Sequence, residues 1–574
     1  MRNINHKHFS QLIVIKTAIF TCFLIVFARL FFLQVIRYDF FQNKGQRNFI
    51  RLHQVPAPRG NIVDRSGRLL VTNRPVTNIY WKGSGLIKLT EKQKQTLQFI
   101  ESTLSSESFS HFIPFSKIQQ AEKYGKTIKI ASDLTFLQIS QIAEQCSDSQ
   151  NVIFKNSFER FYPHKTTACH ILGYLNNIKS GKMGLEHLFE NSLQGEPGFI
   201  SYIINAVGKE LSIQSHQPEQ SGGDIVTTLD LKLQQTAENL MPPETAGVFI
   251  LIEPKTGAIR TLISRPDFDP TIFLKPFSKE TWENIQKTKP FLNRAFDACY
   301  PPASPFKLIT ISAALETGLI NQEDRFNCTG HIVFKGRRYY CNNHRGHGVL
   351  DVKDVVAHSC NIPCFKIAQK ISIDTLAEYA EKFGLGSKTN IIFQEKSGIV
   401  PSKKWKITHR GEKWWAGETL SASIGQSFLL TTPIQIARMI GSIFTGNLVT
   451  PRIVEQTEIE TKPLDIRPST IKFLQECMKS VATTGTGRNL KYIKDITIYA
   501  KTGTAQTCTR LNDEQNNENK RSNDHAWFVS YFQYRDQDPL VMVILLEYVG
   551  SSSKATKIAQ QFLKQYKIII NNKK

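Results

Sequence analysis

The sequence predicts an α+β protein in which one five-stranded antiparallel sheet is packed between helices. Three observations carry this expectation. Residues 246–264, "AGVFILIEPKTGAIRTLIS", are two apolar strand runs around the turn "PKTG". Helical stretches follow over 304–317 and 351–384. Three more strand runs, 496–505, 526–534 and 540–548, then precede a closing helix over 553–568. Strands first, helices between, and strands with a helix last is an α+β order, and the early hairpin must join the late strands in one sheet.

The elements before that domain read in chain order. Residues 1–10 form a short polar tail. Residues 11–36, "QLIVIKTAIFTCFLIVFARLFFLQVI", are apolar over the length a membrane-spanning helix needs. Lys16 lies near the start of the run and can snorkel to the interface, whereas Arg29 lies deeper. Arg2, Lys7 and Lys16, with no acid among the first 16 residues, favour a cytoplasmic N-terminus. No small-x-small cleavage site follows the apolar core, so the run reads as an uncleaved single anchor rather than a signal peptide.

Residues 37–235 read as an irregular α/β N-terminal domain and 236–574 as the second domain. In 55–76, "DRSG" sits between two apolar runs and reads as a hairpin turn. Residues 90–150 are polar and helix-like. Segments 159–175 and 184–198 read as extended chain, helix and a Gly-Pro stop. Residues 220–241 read as a strand, an N-capping Asp230 and a helix. The polar run 509–524 reads as a long surface loop between two late strands.

Composition narrows the function classes. The chain has 574 residues, 41% of them apolar, and a net charge of +23 from 72 basic and 49 acidic residues. Nucleic-acid binding would need a basic face interleaved with aromatics or a reader motif, and neither is present. Spread basic charge instead suits an anionic membrane surface. The ten cysteines are dispersed, and a chain this long needs no disulfide framework.

The chemistry is carried by three short stretches. In "YPPASPFK" (300–307), Ser304 at the start of a helix would place Pro305 at a position where its missing N–H costs nothing. Ser304 and Lys307 then share one face of the first turn, and the amine can reach the hydroxyl. A serine hydroxyl is a weak nucleophile until a base takes its proton, and this spacing supplies the base. The plain alternative is an N-cap and a surface lysine. Two further stretches weigh against that alternative. "AHSCNIPCF" (357–365) gives Ser359-Cys360-Asn361, and "IYAKTGTAQT" (498–507) puts Lys501-Thr502-Gly503 on a strand with no other charge. Gly503 would let a ligand backbone approach closely. S-x-x-K, S-x-N and K-T-G in this order form the set used by penicillin-recognising serine enzymes.

With those motifs the chain resembles the class B penicillin-binding proteins, the membrane-anchored peptidoglycan D,D-transpeptidases. The resemblance covers nearly the whole chain, through "PRGNIVDRSGRLL", "GLEHLFENSLQGEPG", "TTLDLKLQ", "NRAFDACYPPASPFK", "IGQSFLLTTPIQIARM", "KTGTA" and "HAWFVSYF". "GHGVLDVKDVVAHSCN" is most similar to the elongation type, penicillin-binding protein 2. The chain departs from the family at Ala303 and Ser427, where glycine is usual, and at Pro305, where threonine is usual.

The resemblance implies a penicillin-binding/β-lactamase-like transpeptidase domain on an N-terminal pedestal, or dimerisation-like, domain. It implies that Ser304 attacks the carbonyl between the terminal D-alanines of a stem peptide while Lys307 takes its proton. Ser359 would relay a proton to the leaving amine, and Asn361 would hold the substrate amide. Lys501 and Thr502 would bind the terminal carboxylate, and the N–H groups of Ser304 and Thr504, beside Gly503, would form the oxyanion hole. It implies no catalytic cofactor. Expected partners are D-Ala-D-Ala stem peptides, β-lactams, a SEDS-family (RodA-like) glycan polymerase and other elongation proteins. The expected place is the bacterial inner membrane, single-pass, with the catalytic domain periplasmic. Alternatives on the same fold are a division-type transpeptidase, a β-lactam receptor and a hydrolase.

The spacing of Cys328, Cys341, His347 and Cys360, C-x12-C-x5-H-x12-C, independently suits a closed structural Zn²⁺ site. Cys360 between Ser359 and Asn361 would point away from the cleft while they point in. A Cys328–Cys341 disulfide is the other reading. Cys364 and His344 are further candidate ligands. His170 and His187 read as packing or surface histidines.

Overall fold

The computed structural model describes residues 4–105, 113–205, 210–274, 279–507 and 524–572. They fall into two compact units: Met1–Arg59, Thr77–Phe158 and Gln194–Gly222 in the first, and Gly60–Val76, Glu159–Leu193 and Gly223–Lys574 in the second.

The first unit contains the apolar helix Ile4–Phe31, continued by a π-turn over Phe32–Ile36. The span Phe9–Ile36 is long and apolar enough to cross a membrane. A three-stranded sheet pairs Ile50–Val55 with Gly198–Ile204, and that strand with Glu210–Gln217. A separate small core gathers Ile79, Trp81, Leu97, Ile100, Ile118, Ile130 and Ile142. Trp81 donates its indole N–H to the buried Glu122 (2.8 Å), so this core keeps its one polar handle satisfied. The stretch 90–150 is less helical than the sequence suggests. A strand, Thr127–Ala131, lies between two helices. "TIKIA" is too short, and too marked by its lysine, to announce itself.

In the second unit, the "DRSG" turn closes with Gly67 at φ 79° and its N–H on Asp64 O (2.9 Å). Asp230 caps the helix Leu231–Leu240 by accepting from Lys232 N and Leu233 N. Arg160 and Glu186 pair at 2.6 Å in full burial, and Arg160 also donates to Gly60 O, which offsets part of the cost of burying the two charges.

The large sheet orders Ile259–Arg265, Gly247–Ile252, Leu540–Leu546, His525–Tyr534 and Ile496–Ala505, all antiparallel. The early hairpin thus joins the late strands, as expected. Gly247–Ile252 and Leu540–Leu546 are buried along their whole length, because helices cover both faces. The closing helix Ser552–Asn571 packs there, with Phe562 tilted against Phe249 at 4.9 Å. Ile496–Ala505 is one of the two edge strands, and at Gly503 it lies against Pro305 and Ser304 N. The predicted loop 509–524 lies outside the described residues except for Asp524.

The helical middle is broken at the Ser359–Asn361 segment. The run 351–384 forms three helices, Val352–Ala357, Ile362–Ala368 and Ile373–Lys382. Before them, four-residue strands make two small ribbons, Arg325–Cys328 with Gly348–Asp351 and His331–Phe334 with Arg337–Tyr340.

Candidate active site

Ser304 opens a 3-10 turn, Ser304–Phe306, which runs directly into the helix Lys307–Glu316. Pro305 lies inside that first turn, where no N–H is needed. The preceding Ala303 is held at φ 54° and ψ −142°, a conformation natural to glycine. Its N–H bonds Gly425 O (2.9 Å), and a Cβ on Gly425 would lie 2.1 Å from Ala303 O. Trp527 Nε1 holds Pro301 O (3.0 Å), and Tyr300 donates its hydroxyl to Glu547 (2.6 Å). The turn is therefore clamped from three sides. Ser427, the other position where glycine was expected, also has positive φ, at 69°. Ala303→Gly should relieve 1–3 kcal/mol of strain, offset in part by a freer unfolded chain, for a net gain of about 1 kcal/mol. Thermal unfolding of the variant checks this.

The S-x-N segment is positioned by a helix end. Val352–Ala357 stops at His358, and Ser359 takes φ 55° so that Cys360 N can bond Val355 O (2.9 Å). This left-handed residue turns Ser359 and Asn361 toward Lys307 and Cys360 the other way.

Lys307 is fully buried. Its Nζ lies 2.6 Å from Ser359 O, 2.6 Å from Asn361 Oδ1 and 3.2 Å from Ser359 Oγ. Ser359 Oγ is 2.8 Å from Ser304 Oγ. Among the described residues Lys307 makes no hydrogen bond with Ser304. The direct reach expected from the i, i+3 spacing is replaced by a path through Ser359. Burial lowers the Lys307 amine below the ordinary lysine range.

Lys501 is also fully buried, and donates to Thr502 O (3.0 Å). Burial, with Lys307 nearby, drives its amine well below the usual value. Neither buried amine has a carboxylate partner among the described residues, so burial and their mutual repulsion both disfavour the charged forms. Thr502 Oγ1 bonds Thr486 Oγ1 (2.7 Å), a contact with no sequence signal of its own. A Cβ on Gly503 would lie 2.7 Å from Pro305 Cδ and 3.4 Å from Ser304 N. The close approach at Gly503 is thus to the chain's own turn, and it brings the backbone before Thr504 beside Ser304 N.

Three buried cysteines, Cys328, Cys341 and Cys360, and the half-buried His347 form one cluster whose ligand atoms all lie within 4.8 Å of each other. His347 Nδ1 is 3.6 Å from Cys328 Sγ and 3.5 Å from Cys341 Sγ, and Cys341 Sγ is 3.7 Å from Cys360 Sγ. With Zn–S at about 2.3 Å a tetrahedron has S···S edges of about 3.8 Å, so the donor set fits that ion. All four cysteines of this region are free thiols, and none forms the alternative disulfide. Cys364 is buried outside the cluster, and His344 stacks on Tyr340, also outside it. Asn361 N donates to Cys341 Sγ (3.4 Å), which ties the cluster to the S-x-N segment. His170 is a packing residue, buried against Pro290 O (2.6 Å), whereas His187 is an exposed surface histidine whose Nδ1 lies 3.1 Å from Gly181 O.

An edge strand carrying K-T-G against a serine–lysine turn defines an acyl-transferring serine enzyme of the penicillin-recognising type. Residues 247–565 match the family described as penicillin binding protein transpeptidase domain, and 54–227 match the penicillin-binding protein dimerisation domain. The chain belongs to the penicillin-binding protein transpeptidase family. It is 28% identical to the peptidoglycan D,D-transpeptidase MrdA of Acinetobacter baumannii, over 94% of this chain and 84% of that one. It is 27% identical to MrdA of Escherichia coli K12, over 96% and 92%. Among solved structures, it matches the penicillin-binding protein PBP2 of Helicobacter pylori, solved with MreC, at TM-score 0.76 and 24% identity, over 90% and 99%. It also matches a chain of a peptidoglycan synthase complex that coordinates polymerization and crosslinking, at 0.72 and 27%, over 96% and 97%.

Proposed function

We infer that this protein is a membrane-anchored peptidoglycan D,D-transpeptidase of the elongation type, crosslinking stem peptides through a Ser304 acyl-enzyme. The observation that carries the reading is the chain of contacts from Lys307 through Ser359 to Ser304, beside the Lys501–Thr504 edge strand. A neutral Lys307 amine has two N–H groups, matched by Ser359 O and Asn361 Oδ1, and one lone pair left for Ser359 Oγ. Ser304 gives its proton to Ser359 Oγ, which passes its own to Lys307 Nζ. Ser304 Oγ bonds the carbonyl carbon between the two D-alanines while the N–H groups of Ser304 and Thr504 hold the oxyanion. The relay then runs backward, delivering that one proton to the amide nitrogen as the C–N bond breaks, and D-alanine leaves as the free amine. An acceptor amine attacks the ester, the new amide forms and Ser304 regains its proton. Lys501 and Thr502 hold the terminal carboxylate, and Asn361 orients the donor peptide.

Burial lowers Lys307, so acylation by penicillin should rise with pH and reach its plateau below the ordinary lysine value of about 10.4. A pH–rate profile still climbing at that value would contradict Lys307 as the base.

The Phe9–Ile36 helix suits a single anchor in the inner membrane with the second unit in the periplasm. The likeness to a synthase complex supports a SEDS-family polymerase as partner. The cysteine cluster suits one structural Zn²⁺ that braces the S-x-N segment. Metal analysis should find about one zinc per chain, and Cys328→Ser should lower metal affinity by about 10–100-fold or more.

A further inference from the structure

The ribbon His331–Phe334 with Arg337–Tyr340 has two different faces. The register pairs His331 with Tyr340 and Val333 with Arg338, so these four share one face. Ile332, Phe334 and Tyr339 lie on the other and pack against the small core with Leu350, Phe365 and Leu420. The outer face is exposed at Val333, Arg338 and Tyr340. It begins at the catalytic residues: Asn361 Nδ2 donates to Tyr340 O (3.1 Å), and Asn342 Nδ2 donates to His358 O (3.3 Å). Tyr340 stacks on His344 at 5.3 Å, and the exposed Arg345 is the next residue in the chain.

The charge here is one-sided. From 331 to 350 the chain holds Lys335, Arg337, Arg338 and Arg345 and no Asp or Glu. Lys335 and Arg337 lie over Phe334 and Tyr339 of the ribbon. Arg338 and Arg345 are exposed and have no carboxylate partner among the described residues. Two unpaired guanidinium groups beside a tyrosine, at the wall of a peptide-processing site, match an extended peptide bearing free carboxylates.

We propose that this ribbon is the acceptor subsite, where Arg338 and Arg345 take carboxylates of the incoming stem peptide and Tyr340 seats its chain. The proposal rests on the transpeptidase reading above. Arg338 and Arg345 are specificity-determining residues and touch no reacting atom.

The test uses the full chain in detergent, a thioester donor mimic, and two synthetic acceptor peptides, one with free carboxylates and one fully amidated. The wild type should use the carboxylate acceptor better, increasingly so at low salt. Arg338→Glu with Arg345→Glu should lower kcat/KM for that acceptor by roughly 5–30-fold, through KM, and leave the amidated acceptor unchanged. Penicillin acylation and zinc content should stay at wild-type values. The Arg338→Gln, Arg345→Gln pair should fall between. Failure of the wild type to react with penicillin would sink the transpeptidase reading and the subsite with it. Normal acylation with an unchanged acceptor preference would sink the subsite alone. Equal loss on both acceptors would also overturn it, placing an uncharged part of the strand on the ribbon.

Discussion

Lys307→Ala is expected to lower the rate of penicillin acylation by about 10²–10⁴-fold, and Ser304→Ala to abolish covalent labelling altogether. The difference follows from the role proposed for each group. Ser304 supplies the bond and nothing nearby replaces it. Lys307 supplies only a sink for the proton, and water can do that work poorly. Ser359 links the two, at 2.8 Å from Ser304 and 3.2 Å from Lys307, so Ser359→Ala should resemble Lys307→Ala more than Ser304→Ala. Stopped-flow acylation with a fluorescent penicillin measures all three. A Ser359→Ala enzyme with wild-type acylation would mean that Lys307 reaches Ser304 directly during reaction.

Gly503→Ala should cost about 1–3 kcal/mol of stability by overpacking, and about 100-fold in acylation through displacement of the nucleophile. The new methyl would meet Pro305 Cδ at 2.7 Å, an approach real Cβ atoms do not make. Pro305 is rigid and cannot yield by a rotamer change, so the serine turn or the edge strand must move. Thermal unfolding and acylation kinetics on the same preparation check both effects. A variant with lower stability but unchanged acylation would show that the strand, not the turn, gives way.

The grouping of the candidate site residues was legible because their spacing is short and chemical. Ser304 with Lys307, Ser359 with Asn361 and Lys501 with Thr502 each sit within four residues, and the structure brings all three pairs to one place. The large sheet was legible because its strands are long apolar runs. The ribbons between 325 and 351 were not, since four-residue strands of mixed polarity carry no periodicity. The role of Gly503 toward Pro305 was hidden for another reason: the contact joins residues nearly 200 positions apart. The relay through Ser359 was hidden because it depends on the left-handed φ of a serine, which sequence does not mark. Ala303 and Ser427 were visible as departures from the family pattern, but only the positive φ at both explains why glycine is usual there.

The central claim is that Ser304 is the acylated residue, and mass spectrometry of the penicillin-treated full chain tests it most directly. Trypsin releases residues 295–307, "AFDACYPPASPFK", which contain one serine and one cysteine, Cys299. The adduct mass on this peptide, with fragment ions placing it on Ser304, is the expected result. An adduct on Cys299, on another peptide, or on none would contradict the account.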